Sequence, residues 1–476
     1  MPTEFFVTLM ASTYALVLFG LSFRILLRRR PVGVTLAWLL FIYILPGMGM
    51  ALYLLFGERY LGSLRAKRAA EQFKHYSQWL HSLQVPTFLP DAAPKVMKLV
   101  HQAIGAPALN VERWKVLSQS DELYSTLLDD INRAEKVIFA EFYIIEVKGN
   151  VHRVVDALIA AAKRGVHVHL MFDSVGSSRF FRSDHVKNMR SQGIQIIDSL
   201  HANLLRMTLR RQDLRMHRKL ISIDGNVAYT GSMNLVDPKY FKTDAGVGEW
   251  IDIMVRLEGG ISHFIQSTLV FDWELETGIR LEKHLCWPTQ NTHTSEQMQL
   301  LPSGPALDDE LLLQVLLTAI HSAQHRVIIT TPYFVPDESL LQALKTAAKR
   351  NVEVIILLPR LNDSKLAQYA GRSFFEELLL SGVDIRRFEG GLLHTKSVVI
   401  DDSLTLVGSV NLDMRSIWLN FESTLIVEDV QFNAAIMAVI KSYLSDSKSL
   451  TLAQWRARSL PKKVFESIAQ LASPLL

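Results

Sequence analysis

Alternating apolar and polar residues occur in two stretches of this chain, and both stretches predict β-hairpins. The first alternates from Met216 to Ile223, reaches the turn-forming triplet Asp224-Gly225-Asn226 and returns as the strand-like run 227–230. The second repeats this order about Asp402-Ser403. A two-residue loop such as Gly225-Asn226 commonly connects two paired strands. Because side chains alternate across a strand, each hairpin should gather its polar residues on one face.

One polar motif lies at the same offsets in both hairpins. Its members are His217, Lys219, Asp224, Gly231, Ser232 and Asn234 in the first copy, and His394, Lys396, Asp401, Gly408, Ser409 and Asn411 in the second. With the two-residue loop, Lys219 falls opposite Ser232, and His217 opposite Asn234. The aspartate points to the other face, where its carboxylate should accept hydrogen bonds from the turn backbone or pair with a basic group. The prediction is a His, Lys, Ser and Asn tetrad in each half and an aspartate that acts as scaffold.

The two tetrads contain the groups needed to act on a phosphate diester. Imidazole can serve as nucleophile and as general acid or base, and ammonium, amide and hydroxyl groups can hold phosphate oxygens. A histidine also needs a partner that fixes its tautomer. Asp252 and Glu422 occupy matching positions in strand-like runs downstream of the two motifs, and they are the candidates for this role. The alternative is that each carboxylate caps or pairs locally.

The N-terminal part of the chain is apolar over two long runs. Neither Phe5–Phe23 nor Pro31–Gly57 contains a charged residue, and four arginines lie between the runs. Each run is long enough to cross a membrane as a helix, although Pro46 favours a kink or a re-entrant path in the second. No Lys or Arg precedes the first run, which argues against a cleaved signal peptide. The alternative is a helical hairpin buried in a soluble protein.

Two crossings would place both chain ends on the same side of the membrane. Basic residues in the hairpin turn and after the second run nearly balance, with a small excess after the second run. The positive-inside rule then favours the cytoplasmic side for the rest of the chain.

Beyond the motif, the two halves of the chain share a second pattern. Residues 161–168 and 347–354 each read as a helix end followed by a strand. The pattern predicts an α/β fold with two tandem βα domains in pseudo-twofold symmetry, preceded by a transmembrane helical hairpin. The expected bounds are 1–57 for two transmembrane helices, 58–112 for a basic juxtamembrane linker, 113–285 for the first domain, 286–300 for a linker and 301–476 for the second domain.

Charge and cysteine content narrow the choice of partners and cofactors. The net charge is only +4, which argues against a polyanion-binding protein such as a nuclease. A single cysteine excludes an internal disulfide and a cysteine zinc site, and no His, Asp or Glu cluster has metal-ligand spacing, so we expect neither metal nor cofactor. Residues 204–211 interleave apolar and basic side chains, which fits either an anionic membrane surface or an ordinary amphipathic helix. Residues 455–475 show a weaker form of this pattern, and there the ordinary helix is favoured.

The duplicated motif resembles the hallmark of the phospholipase D superfamily. Two N-terminal membrane segments, the run Thr331-Pro332-Tyr333-Phe334-Val335-Pro336 and the run 389–397 make nearly the whole chain similar to bacterial cardiolipin synthases with two such motifs. The resemblance implies two phospholipase D-like domains and a multi-pass protein of the bacterial inner membrane. It also implies a metal-free transphosphatidylation in which two phosphatidylglycerol molecules give cardiolipin and glycerol.

The resemblance further implies roles for the motif residues. His217 would form a phosphohistidine and His394 would serve as acid and base, an order that the residues alone leave open. The groups expected to hold phosphate oxygens are Lys219, Lys396, Asn234 and Asn411, with Ser232 and Ser409. The expected partners are phosphatidylglycerol, cardiolipin and the anionic bilayer surface but not nucleic acid, and the oligomeric state, including a homo-oligomer, is left open.

Three competing interpretations remain from the sequence. A hydrolytic phospholipase D or nuclease could use the same residues, although the membrane runs disfavour a nuclease. A phosphatidyl transferase with another alcohol as acceptor is harder to separate. A membrane scaffold without activity would not need two intact tetrads.

Overall fold

The computed structural model describes residues 2–27, 32–45, 47–57, 68, 93–200, 213–281, 297–305, 307 and 310–470. These residues form two compact units. One unit contains the residues up to Gly57 together with Asp213 and Leu214, and the other contains the rest. The segment 204–211, for which a membrane surface was one interpretation, lies outside the described residues.

In its described residues, the N-terminal unit forms three helices: α1 (Pro2–Leu27), α2 (Val32–Ile44) and α3 (Met48–Phe56). Of the helices in the described part of the chain, α1 alone is long and apolar enough, over Glu4–Leu27, to cross a membrane. The second apolar run forms two short helices instead of the single helix expected. Gly47, between α2 and α3, has a φ of +77°, a non-helical backbone conformation that ends one helix before the next begins.

The segment expected to be a basic linker is folded in its described C-terminal part. It contains α4 (Lys95–Ile104), which buries Val96, Met97 and Val100, and β1 (Ala108–Asn110), which pairs antiparallel with residues 297–299. The apolar stripe of α4 packs into the large hydrophobic core. Residues 95–110 therefore belong to the second unit and are not a linker.

The first half of the second unit is built on a seven-stranded sheet. Its strands are β2 (Arg113–Leu117), β3 (Val137–Phe142), β4 (His167–Asp173), β5 (Gln195–Ser199), β6 (Leu220–Ile223), β7 (Val227–Gly231) and β9 (Met254–Glu258), and the short strand β8 (Trp250–Ile251) lies outside this sheet. Its helices are α5 (Ser120–Arg133), α6 (Asn150–Lys163), α7 (Ser178–Phe181), α8 (Asp184–Ser191) and α9 (Gly260–Thr277). The strand order is β2-β9-β7-β6-β3-β4-β5.

The second half is built on a nine-stranded sheet. Its strands are β10 (Gln297–Ser303), β11 (Arg326–Thr330), β13 (Glu353–Pro359), β14 (Asp384–Phe388), β16 (Ser397–Ile400), β17 (Leu404–Gly408), β19 (Glu422–Glu428) and β20 (Ser447–Ser449), together with β1; β12 (Phe334–Val335), β15 (Leu392–Leu393) and β18 (Leu412–Asp413) are short strands outside it. Its helices are α10 (Leu311–Ser322), α11 (Glu338–Lys349), α12 (Lys365–Arg372), α13 (Phe375–Leu380), α14 (Met414–Trp418), α15 (Val430–Ser445), α16 (Leu452–Arg456) and α17 (Leu460–Gln470). The order is β1-β10-β19-β17-β16-β11-β13-β14-β20.

The two sheets share one topology. Parallel strands β3, β4 and β5 adjoin antiparallel β6, β7 and β9, just as β11, β13 and β14 adjoin β16, β17 and β19. This repetition confirms the predicted duplicated α/β fold. Because β6 and β16 run antiparallel to β3 and β11, their first residues lie at the carboxyl edge of the parallel strands. His217 and His394 lie three residues before these first residues, Leu220 and Ser397.

The predicted register of both hairpins was wrong by one residue. Ile223 pairs with Val227, and Ile400 with Leu404, so each loop has three residues instead of two. Asp224 and Gly225 have φ of +53° and +72°, and the Asn226 N–H donates to the Ile223 carbonyl at 3.1 Å. The aspartate thus takes a loop position with positive φ, which Asp tolerates better than most residues, and does not extend the strand.

Candidate active site

Each motif histidine is held by the backbone of the opposite half. Residue 216 forms a parallel bridge with Phe421, whose carbonyl accepts the His217 N–H at 2.9 Å. In the other half, β15 pairs in parallel with β8, and the His394 N–H donates to the Ile251 carbonyl at 2.8 Å. The two histidine segments are therefore positioned across the boundary between the halves, and both belong to one composite site.

The carboxylates near the histidines are exchanged between the halves. His217 Nδ1 lies 2.9 Å from both carboxylate oxygens of Glu422, and His394 Nδ1 lies 2.7 Å from Oδ1 of Asp252. All four side chains are buried. A proton on Nδ1 that is donated to the carboxylate leaves the lone pair on Nε2, which is the tautomer needed for attack on phosphorus or for accepting a proton.

The motif serines contact these carboxylates. Ser232 Oγ donates to Asp252 Oδ1 at 2.6 Å, and Ser409 Oγ donates to Glu422. A Cβ at Gly231 would lie 2.3 Å from the Ile253 carbonyl oxygen, so only glycine lets the strand approach closely enough for the serine to reach the carboxylate. The serines therefore support the carboxylate–histidine pairs, a placement that the predicted register did not give.

The motif asparagines are both buried. Asn234 Oδ1 accepts the Ile144 N–H at 3.2 Å, which orients its amide nitrogen away from that backbone. Asn411 is buried at the equivalent position of the second half. Both amides lie two residues beyond the serines that contact the exchanged carboxylates, so a phosphate-holding role stays a prediction for them.

The two motif lysines are buried beside the histidines. Nζ of Lys219 donates to the His217 carbonyl and Nζ of Lys396 to the His394 carbonyl, each at 2.6 Å. Burial lowers the pKa of Lys219 to about 8 and that of Lys396 to about 7, although the carboxylates of Glu422 and Asp252 act in the opposite direction. The negative charge of a bound phosphate would raise the pKa of both lysines again and so favour their charged ammonium form.

The imidazoles are neutral near pH 7. Burial lowers the pKa of His217 and of His394 to about 4, against the opposing effect of the partner carboxylates. Burial alone would raise the pKa of Asp252, but His394, which is protonated in acid, and the charge of Lys396 hold it at about 2. Each pair is therefore a neutral imidazole hydrogen-bonded to a carboxylate anion, which suits a nucleophile or a general base. Among the residues described, no group of three or more His, Cys, Asp or Glu side chains is arranged to hold a metal ion.

The motif aspartates lie at the hairpin loops, away from the histidines. The Asp224 carboxylate accepts the backbone N–H groups of Glu135, Lys136 and Val137, each at 2.8 Å. Asp401 does the same for residues 324–326 in the second half. The donors are backbone groups of the segment that enters β3 or β11, whereas the sequence had suggested the hairpin turn or a neighbouring basic group. A scaffold role for the two aspartates stays our prediction.

Side chains from outside the duplicated motif also contact the residues of the site. Tyr143 lies edge-on to His217 at 5.1 Å between ring centroids, and Trp250 packs on His394 at 4.3 Å. Lys242 Nζ lies 5.2 Å from the Trp250 ring centroid and 2.9 Å from Asp363 Oδ2. Trp250 could have been singled out from its position two residues before Asp252. Lys242 and Asp363 are distant in sequence and fit no periodic pattern.

Comparison with known proteins identifies the family. The family model "Cardiolipin synthase, PLD-like domain" matches residues 127–245 and 316–444, and the model "Phospholipase_D-nuclease N-terminal" matches residues 16–58. The chain belongs to the cardiolipin synthase family of phospholipase D-like proteins. It is 44% identical to cardiolipin synthase A of Proteus mirabilis (strain HI4320), with 97% of each chain covered. It is 46% identical to cardiolipin synthase A of Escherichia coli O1:K1 / APEC, again with 97% of each chain covered.

A solved structure shares the fold of this cardiolipin synthase family member. The phosphatidylserine synthase of Haemophilus influenzae Rd KW20 superimposes with a TM-score of 0.61 at 15% sequence identity, and the match covers 80% of this chain and 100% of the other. At this identity the similarity concerns the fold alone.

The buried lysines predict a pH dependence for this family member. We expect kcat/KM to fall as pH rises through about 7 and 8, because Lys396 and Lys219 then lose the charge that attracts a phosphate. On the acid side it should fall near pH 4, where the imidazole that attacks phosphorus becomes protonated and loses its free lone pair. A profile with a dispersed short-chain phosphatidylglycerol tests this. The Lys396→Arg variant keeps its charge at every pH used. Its kcat/KM should therefore no longer fall near pH 7, whatever its absolute rate. A wild-type kcat/KM that is flat from pH 6 to about 9 would contradict the expectation.

Asp224→Asn tests the scaffold role. An amide offers one acceptor oxygen where the carboxylate accepts three N–H groups, and its own NH₂ would face a donor. We expect a loss of roughly 1–3 kcal/mol in the free energy of unfolding, with most of the kcat retained by the folded protein. Thermal melts and kinetics should be compared with those of Asp244→Asn, a matched change at an exposed loop carboxylate. Wild-type melting together with a loss of activity as large as that of Lys219→Gln would refute a scaffold role.

Proposed function

We propose that this protein is a cardiolipin synthase that transfers a phosphatidyl group from one phosphatidylglycerol to the hydroxyl of another. The products are cardiolipin and glycerol. The observation that carries the proposal is the exchanged pair of buried imidazole–carboxylate contacts, His217 with Glu422 and His394 with Asp252, beside two buried lysines. The curated relatives that cover nearly the whole chain support the same activity.

In the proposed reaction, Nε2 of one histidine attacks phosphorus. The new P–N bond forms while the P–O bond to glycerol breaks, and the other histidine gives its proton to the glycerol oxygen. The hydroxyl of a second phosphatidylglycerol then returns a proton to that histidine. Its oxygen attacks phosphorus and the P–N bond breaks, which restores both imidazoles. By resemblance to the superfamily, His217 is the nucleophile and His394 the acid and base.

The charge of the substrate fits this cycle. A phosphodiester anion beside His394 raises the pKa of its imidazole from about 4, so that it can hold the proton that leaves with glycerol. Lys219 and Lys396 would stabilise the charge that builds up on the phosphate oxygens, with Asn234 and Asn411 as further donors. Asp252 and Glu422 accept the Nδ1 protons of the two histidines, which leaves the Nε2 lone pairs free to react.

Purified full-length protein supplied with phosphatidylglycerol alone tests the activity. We expect cardiolipin and glycerol in equal amounts by lipid mass spectrometry and an enzymatic glycerol assay. Phosphatidic acid as the main product would identify a hydrolase instead. A product formed only after another alcohol is added would identify a different phosphatidyl transferase.

We also propose a location in the bacterial inner membrane. The apolar helix over Glu4–Leu27 supports a membrane anchor, and α2 with α3 supports a second, bent crossing. The basic residues after the second run favour a cytoplasmic active site, which protease protection of a C-terminal tag in intact spheroplasts would test. Alkaline carbonate extraction should leave the full-length protein in the membrane pellet. Its release into the supernatant would exclude an integral anchor.

A further inference from the structure

Helix α17 exposes large apolar side chains and buries an acidic one. Leu460, Phe465 and Ile468 are 73%, 52% and 58% exposed, and Val464 is exposed as well. Glu466, by contrast, is 3% exposed and pairs with Arg458. A helix at the surface of a soluble protein normally buries its apolar stripe and exposes its carboxylates. An exposed stripe of large side chains marks a surface that something else covers.

The exposed stripe continues onto helix α12. The Phe465 ring lies edge-on to Tyr369 of α12 at 4.8 Å between centroids, and Leu366 on the same helix is exposed. Two helices from different parts of the second half thus form one apolar surface. We call the surface of Leu366, Val464, Phe465 and Ile468 the α12–α17 face.

The α12–α17 face adjoins the contact between Lys242 and Asp363, which we call the mouth of the active site. Helix α12 begins at Lys365, two residues after Asp363, and Asp363 accepts hydrogen bonds from Tyr333 at 2.7 Å and from Lys242 at 2.9 Å. Lys242 lies over Trp250, which packs on His394. Moreover, α12 follows β13 at the carboxyl edge of the parallel strands, which is the edge where both motif histidines lie.

The charged residues beside this face are mainly basic. Lys365 and Lys462 are exposed, and the Arg372 guanidinium lies 5.4 Å from the Tyr369 ring centroid. The nearby carboxylates are already occupied, since Glu466 pairs with Arg458 and Glu376 with Arg456. Apolar side chains ringed by lysine and arginine match the acyl–headgroup boundary of an anionic leaflet.

We propose that the α12–α17 face docks on the anionic lipid bilayer and holds the mouth of the active site at the headgroup level. Val464, Phe465 and Ile468 enter the acyl boundary, and Lys365 and Lys462 contact lipid phosphates. Both phosphatidylglycerol molecules then reach the histidines from the leaflet without leaving it. The proposal rests on the proposed function only for the identity of these substrates.

A fluorescent probe tests the docking directly. In full-length Cys286→Ser protein, Ile468→Cys carries an environment-sensitive fluorophore, and Val430→Cys serves as the matched control. Val430 is similarly exposed at 63%, but it follows β19, which starts at Glu422 in the site and ends at the far edge of the sheet. In vesicles of phosphatidylglycerol and phosphatidylethanolamine, we expect acyl-chain spin labels to quench the probe at 468 and aqueous iodide to quench the probe at 430.

Each other outcome of this experiment overturns the proposal. Iodide quenching of both probes would leave the α12–α17 face in water. Protection of position 468 from both quenchers would indicate a protein cover, either another copy of the chain or the N-terminal unit. Protection that depends on protein concentration in detergent would identify the second copy.

A kinetic comparison separates the docking from the reaction. For Val464→Ser/Ile468→Ser, we expect the ratio of activity on vesicles to activity on dispersed short-chain phosphatidylglycerol to fall about tenfold, because the lost apolar area no longer enters the leaflet. For Val430→Ser the ratio should equal that of the wild type. An unchanged ratio in the double variant contradicts the docking, whereas failure of the wild type to make cardiolipin from either substrate contradicts the proposed function.

Discussion

Replacement of either motif histidine by alanine is expected to abolish nearly all cardiolipin synthesis, with losses on the order of 10³-fold or more in kcat. Both imidazoles belong to one site, because His217 is held by Phe421 and Glu422 and His394 by Ile251 and Asp252. A covalent cycle needs one imidazole on phosphorus and one to move the proton, so neither can replace the other. His152→Ala, at an exposed histidine outside the site, should leave the rate unchanged.

The two histidine variants should differ in the intermediate that they accumulate. If His217 is the nucleophile, His217→Ala forms no phosphatidyl adduct, whereas His394→Ala forms it slowly and cannot pass it to the acceptor. Intact-protein mass spectrometry after rapid quenching at alkaline pH distinguishes the two. An adduct found only in His217→Ala would reverse the roles, and substantial synthesis by either variant would rule out the composite site.

Loss of the exchanged carboxylates should have the next largest effect. In Asp252→Asn the amide NH₂ can face Nδ1 of His394 and favour the tautomer with a proton on Nε2, which has the wrong nitrogen available. Removal of the anion also moves the pKa of His394 further below about 4, since Asp252 raises it. We expect roughly 10²–10⁴-fold lower kcat, by the logic of other carboxylate–histidine pairs. Glu422→Gln should cost a similar factor through His217.

The exchange itself predicts which step each carboxylate affects. With His217 as nucleophile, Glu422→Gln should slow formation of the phosphatidyl adduct, and Asp252→Asn should slow its transfer and let it accumulate. Pairing within each half would give the reverse pattern. Melting curves of the folded variants serve as the control, because both carboxylates are buried.

Much of the fold could be predicted because its signals are local. Alternation of apolar residues and the helix-to-strand pattern at 161–168 and 347–354 depend on near neighbours, and both halves repeat them. The register failed because it depends on the conformation of one residue. Asp224 adopts positive φ, and the assumption that it would pair as the last strand residue moved every partner by one.

The sequence identified most residues of the site, but it did not show which of them contact one another. Spacing indicated that Asp252 and Glu422 would matter, but not that each would contact the histidine of the other half. That contact depends on how the two sheets meet, which no local pattern encodes. The same holds for Lys242 and Asp363, whose pairing across the mouth joins loops of different halves.

The exchange of Asp252 and Glu422 also bears on the origin of the duplication. A single copy of this unit would leave its histidine without a carboxylate, so an ancestor with one motif would have needed a twin subunit that donated the same residue in return. Two identical chains can build only identical environments for the two imidazoles. In a single chain with two copies, a residue of one copy can be substituted without the same change in the other. His394 contacts one oxygen of an aspartate and His217 both oxygens of a glutamate, so the duplicated chain gives its two imidazoles different surroundings, which a symmetric pair of identical subunits would not do.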